Sequence, residues 1–216
     1  MKQNRREWLK SSLGIGGLIL APSTFLSANE EKQFNQREYI SPIKLSSNEN
    51  PYGPSQRVLE RVKKSFNHGC RYPYSYADDL AIILARKHSV DPESIIITGG
   101  STEGLRITGV TFSRGGGEII AAKPTFLALM DYTQRWGATV NWVPVTSDMG
   151  YDLDEIEKRI SKKTKLVFLC NPNNPTGTLV PKEKLNDFCS TVSNHTVLFS
   201  VEAYYEFIEE QDYPSM

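Results

Sequence analysis

Between Leu166 and Gly177 the chain reads Leu-Val-Phe-Leu-Cys-Asn-Pro-Asn-Asn-Pro-Thr-Gly, and few folds accommodate that string. Leu166 to Cys170 is an apolar run without alternation, as expected of a strand buried on both faces of a parallel sheet. It stops at Asn171-Pro172 and enters a stiff polar loop. Pro172 and Pro175 fix φ and bias the residues before them to extended backbone, while Gly177 allows a turn that a side chain would oppose. Asn171, Asn173 and Asn174 are thereby carried to the carboxyl end of a strand, the edge where open α/β sheets bind ligands. Taken two residues at a time, the same loop also reads as an ordinary Pro/Asn turn.

As a whole, Asn-Pro-x-Asn-Pro-Thr-Gly resembles the signature loop of the class I/II aminotransferases, enzymes of fold type I that use pyridoxal 5′-phosphate (PLP). The resemblance implies an α/β fold, a mostly parallel sheet with flanking helices, corresponding to part of that family's large domain. It also implies amino-acid and keto-acid substrates, and a homodimer whose active sites draw residues from both subunits.

At 216 residues the chain has room for one domain with a substantial core, or for one large domain plus fragments of another. Its 25 basic and 25 acidic residues cancel, which gives no electrostatic reason to expect nucleic acid or an anionic membrane as partner. Cys70, Cys170 and Cys189 lack Cys-x-x-Cys spacing and are odd in number, so they read as core or incidental thiols. His68, His88 and His195 are too scattered to suggest a metal site.

Residues 1–28 have the look of an address. Asn4-Arg-Arg-Glu-Trp-Leu-Lys10 resembles a twin-arginine signal, with Asn4 where Ser or Thr is commoner, ahead of the weakly apolar, glycine-bearing stretch from Ser11 to Leu26. A basic amphipathic start, an ordinary secretory signal or an uncleaved anchor fits the same residues. Twin-arginine export would carry the protein, already folded, to the periplasm; otherwise it would remain cytoplasmic.

Residues 29–53 read as an extended arm, and 54–216 as a partial cofactor-binding domain. Asn48-Glu-Asn-Pro-Tyr-Gly53 is similar to the amino-terminal substrate-side segment of histidinol-phosphate aminotransferases. Pro54 and Ser55 open a helix whose Val58, Leu59, Val62 and Phe66 share one face, a candidate core stripe. Tyr72, in Arg-Tyr-Pro, matches a family tyrosine that reaches the cofactor phosphate of the neighbouring subunit. Asp79 to His88 reads as a second helix and Ile95-Ile-Ile97 as a strand. The strand leads into Thr98-Gly-Gly-Ser-Thr-Glu103 and another helix. Two glycines permit close approach of a ligand, and the free amides of a helix amino terminus favour a phosphate, with Ser101 and Thr102 adding hydroxyls. An ordinary helix start with Ser101 as N-cap fits as well. The resemblance assigns Gly100, Ser101 and Thr102 to the phosphate of PLP.

Glu118 to Ala121 is a further strand, delivering Lys-Pro-Thr-Phe126. Phe126 either starts a core helix running to Trp136 or, as the resemblance implies, stacks on the cofactor ring. After a strand at Thr139 to Val145, Asp152 begins a helix; Pro181 to Ser193 is another, and Thr196 to Ser200 the last buried strand. Beyond it, Val201-Glu-Ala-Tyr204 resembles a family string that starts with Asp. In that family the Asp carboxylate pairs with the protonated ring nitrogen, and the tyrosine, here Tyr204, bonds the ring oxygen beside Asn174. Val201 can hold no counter-charge, and Glu202 should face the opposite side of the strand.

The resemblance places the Schiff-base lysine and the substrate-binding arginine in later segments, so no lysine of these 216 residues is assigned a catalytic role. Four readings follow. The first is the amino-terminal half of a histidinol-phosphate-aminotransferase-like enzyme. A PLP lyase or decarboxylase on the same scaffold is a close variant. The third is an inactive, truncated or degenerate relative that at most binds PLP noncovalently. The last is a plain α/β domain that binds some other phosphorylated ligand.

Overall fold

The computed structural model describes residues 45–216. The signal-like segment and most of the proposed arm lie outside the described residues. The chain divides into two units, Met1–Arg71 and Tyr72–Met216. In the first, α1 spans Gln56–Ser65 and starts from Ser55, whose hydroxyl accepts the Val58 N–H at 3.4 Å. Its apolar stripe is not core within the described residues: Val58, Leu59, Val62 and Phe66 are all exposed, Phe66 at 74 %. Helical periodicity establishes that a face exists, and the partner that would cover it is a separate question.

The second unit runs α2 (Tyr74–His88), α3 (Ser101–Ser113), β1 (Glu118–Lys123), α4 (Ala128–Arg135), β2 (Thr139–Pro144), α5 (Leu153–Arg159), β3 (Thr164–Cys170), α6 (Lys182–Ser193) and β4 (Val197–Val201). The strands form one parallel sheet in the order β2-β1-β3-β4. Two differences from the sequence expectation follow from position in this sheet. Ile95–Ile97 is extended but belongs to no strand, because a strand is defined by a ladder partner and none of the described residues supplies one; Ile96 is 83 % exposed. β4 is an edge strand and only half-buried rather than fully covered.

β3 lies between β1 and β4, and its run from Leu166 to Cys170 is buried throughout. Alternation sends Val167 and Leu169 to one face, with Leu153 and Ile156 of α5 and Leu185, Phe188 and Val192 of α6. Leu166, Phe168 and Cys170 face the other way, against Leu105 of α3 and Leu129 and Met130 of α4. Each fully buried Leu or Phe contributes roughly 1.5–3 kcal/mol relative to exposure. The helices are thus held on both faces, and α3 is pressed close to α4. A Cβ at Gly109 would lie 2.8 Å from the Tyr132 Cβ and 3.3 Å from the Leu129 carbonyl oxygen. That close approach helps fix where the amino terminus of α3 points.

Candidate functional site

The carboxyl ends of β1, β3 and β4 each contribute to one cavity of about 600 Å³, together with α3. Phe126 enters from the segment after β1, Asn174 from the loop after β3, and Val201 and Tyr204 from the end of β4. Ser101 and Gly104 line it from the first turn of α3.

The β3 loop assigns its three asparagines different tasks. Asn171 is buried; its Nδ2 donates to Tyr213 Oη at 2.7 Å and its Oδ1 accepts the Val180 N–H at 3.0 Å. Asn173 is also buried. Its Oδ1 lies 2.8 Å from both Thr125 Oγ1 and Tyr151 Oη, and its Nδ2 donates to the Pro124 carbonyl and to Thr176. Tyr151 Oη also accepts the Cys170 N–H at 3.2 Å, and burial pushes its phenol up to about 12. These two side chains weld the β3 loop to the segment after β1. Only Asn174 lines the cavity, where its Nδ2 donates to Tyr204 Oη at 3.3 Å. The residues before Pro124, Pro172 and Pro175 are joined to them by cis bonds.

At the start of α3 the N-cap is Gly100, at φ +98°, rather than Ser101, which is the first helical residue. A backbone here in a region disfavoured for side chains explains the glycine. Glu103, in the first turn, turns back so that its carboxylate accepts the Gly99 N–H. That amide of the turn is thus paired within the chain. Gly100 and Thr102 flank Ser101 without lining the cavity, and Thr102 is exposed. Tyr72 is elsewhere: it is 80 % exposed and stacks on Tyr74 with ring centroids 5.3 Å apart.

Phe126 does not begin a helix, since α4 starts at Ala128; it is half-buried beside the Leu105–Phe168 cluster and forms part of the cavity wall. Val201 and Phe199 pack on that same cluster, whereas Leu198 packs on the opposite face of the sheet. The Glu202 carboxylate is held by the Ser215 hydroxyl at 2.6 Å and the Met216 N–H at 2.8 Å. Glu202 lines the cavity at the end of β4 with its carboxylate engaged by these two partners. No lysine, arginine or histidine lines the cavity among the described residues. Cys170 does line it, and burial pushes its thiol up.

A helix amino terminus, an aromatic wall and an Asn–Tyr pair thus meet at the carboxyl edge of a parallel sheet, the edge where α/β proteins bind ligands. The comparisons with known proteins give this class its family. Residues 40–216 match the family "Aminotransferase class I and II", and the chain belongs to it. It is 38 % identical over 172 residues to histidinol-phosphate aminotransferase 2 of Bacillus cereus (strain ATCC 10987 / NRS 248), covering 80 % of this chain and 47 % of that protein. Identity to the histidinol-phosphate aminotransferase of Caldicellulosiruptor saccharolyticus is 36 %, with 80 % and 48 % covered. Among solved structures, histidinol-phosphate aminotransferase from Sinorhizobium meliloti in complex with pyridoxal-5′-phosphate superposes with a TM-score of 0.71 at 25 % identity, covering 77 % of this chain and 45 % of that one. L-threonine-O-3-phosphate decarboxylase from Porphyromonas gingivalis shares the fold, with a TM-score of 0.61 at 23 % identity over 72 % of this chain and 45 % of that one. The chain spans about half the length of the relatives it matches. Members of the family are PLP-dependent.

Sequence reasoning missed Tyr151 and Tyr213, which hold the asparagine loop, and Thr108 and Phe199, which line the cavity. No local motif marks them; only the folded chain brings them to the site.

Proposed function

We propose that this chain forms the amino-terminal part of a PLP-dependent aminotransferase of the histidinol-phosphate aminotransferase type, passing an amino group from an amino acid to a keto acid. The observation that carries this reading is the Asn174–Tyr204 hydrogen bond on the same cavity as Phe126 and Ser101. The turn from Gly100 to Thr102 would receive the phosphate, Phe126 would lie against the ring, and Asn174 with Tyr204 would bond the ring oxygen. When bound, PLP supplies the electron sink for chemistry at the substrate's α-carbon. The chain's own residues bind it, orient it and exclude water from one side. Tyr72, facing solvent on α2's amino-terminal side, would complete a neighbouring subunit's site in a homodimer. Export by the twin-arginine route from residues 1–28, ahead of an arm at 29–53 and the cofactor domain at 54–216, belongs to the same proposal.

A second reading has its own support. No lysine lines the cavity among the described residues, and Val201 offers no counter-charge. A relative that holds PLP noncovalently without turnover fits both facts. Protein purified from its source, incubated with PLP and a panel of amino acids, separates the two. Pyridoxamine 5′-phosphate and a keto acid in equal amounts support transamination. Tight PLP binding with no product and no borohydride-stable lysine adduct establishes the noncatalytic alternative. A nucleotide that displaces PLP would point to the plain binding domain instead.

A further inference from the structure

We infer that this cavity takes the pyridine ring of its ligand in the uncharged form, with no proton on the ring nitrogen; the inference rests on the cofactor reading above. Among the described residues, the elements around the cavity bring almost no charge to it. The extended segment before α3 brings Ile96 and Thr98, and α3 brings Ser101, Leu105 and Ile107 among its uncharged residues. The segment after β1 brings Phe126. The end of β3 brings the Cys170 thiol and Asn174, and β4 with the turn after it brings Val201, Glu202 and Tyr204.

Of these, Glu202 alone carries a carboxylate. Its oxygens accept from Ser215 and Met216, and its charge acts on Cys189 and Tyr213, which pack with the Val167–Leu169 cluster on the other face of the sheet from Phe126. Val201 and Phe199 are the β4 side chains on the Phe126 side. A pyridinium placed here would give up its water to an apolar wall without gaining a counter-charge, which disfavours the charged form. A neutral ring meets no such penalty. Among the described residues, no charged side chain other than Glu202 lines the cavity.

The sign of the effect is fixed. The cationic ring binds more weakly than the neutral one, so ring protonation moves to lower pH on binding, and affinity rises as pH rises through the titration of the free ring. The probe is pyridoxine 5′-phosphate, an alcohol that cannot condense with lysines. Its ring absorbance and ring ¹⁵N shift are followed against pH, free and bound to the protein. The ring signals matter because the phosphate titrates as well. Bound ligand should lose its ring proton at least about one pH unit below free ligand, a tenfold preference for the neutral ring. Val201→Asp should move that titration back up. A bound ring that titrates at or above the free value overturns the inference while leaving the cofactor reading intact. No binding at any pH removes the cofactor reading and the inference with it.

Discussion

Asn173 and Asn174 are neighbours with opposite jobs, and substitution separates them. Asn174→Ala removes a donor from the cavity wall and leaves the loop's internal bonds untouched. Affinity for pyridoxine 5′-phosphate should fall about tenfold by fluorescence titration, with little change in the denaturation midpoint. Asn173→Ala strands Thr125, Tyr151 and the Pro124 carbonyl in a buried site. It should cost about 2–3 kcal/mol in urea unfolding. Tyr151 gives a pH signature. Its phenol stays protonated in the folded chain up to about 12, whereas the unfolded chain releases that proton near 10. Folding stability should therefore decline as pH rises from about 10 towards 12, by an amount of order 2–3 kcal/mol. Tyr151→Phe should be less stable at neutral pH yet show a shallower loss across that window. A loss of the same steepness in both proteins would assign the alkaline unfolding to other groups.

At the scale of elements, the amino terminus of α3 can serve a phosphate only if the helix is held where it is, and Gly109 is the contact that allows this. Gly109→Ala places a methyl against the Tyr132 Cβ and the Leu129 carbonyl, neither of which can swing aside as a long side chain would. The expected cost is about 1–3 kcal/mol. Ligand affinity should fall as well, because α3 must shift relative to α4. An unchanged melting temperature would show that the two helices separate freely. The same element scale marks what the sequence discloses. β1 and β3 were readable because strands covered on both faces are apolar without alternation, a pattern that each strand carries alone. Ile95–Ile97 has the same composition and no ladder. Strand status depends on a partner that three isoleucines do not encode. The stripe on α1 makes the same point, since its period was legible and its exposure was not.

Taken as a whole, the site is assembled from stretches far apart along the chain: Ile96 to Thr108, Phe126, Cys170 to Asn174 and Phe199 to Tyr204. Its lining was legible where a motif names residues, as with Ser101, Phe126, Asn174 and Tyr204, which the fold gathers on one cavity. Division of labour among the asparagines was not, because it is set by Tyr151 and Tyr213, which lie outside the motif. A ligand that touches all four stretches must stabilise the second unit as a unit, since unfolding any one of them dissolves the site. For a ligand with no affinity for the unfolded chain, a concentration of 100 times Kd adds about 2.7 kcal/mol. In a chain of this size that corresponds to a rise in Tm of roughly 5–10 °C. Pyridoxine 5′-phosphate should produce such a rise in calorimetry, growing with the logarithm of its concentration. With Asn174→Ala and Tyr204→Phe combined, the same concentration should give only a small part of it. A rise that survives both substitutions would mean that the ligand binds elsewhere, since these two side chains meet only at this cavity.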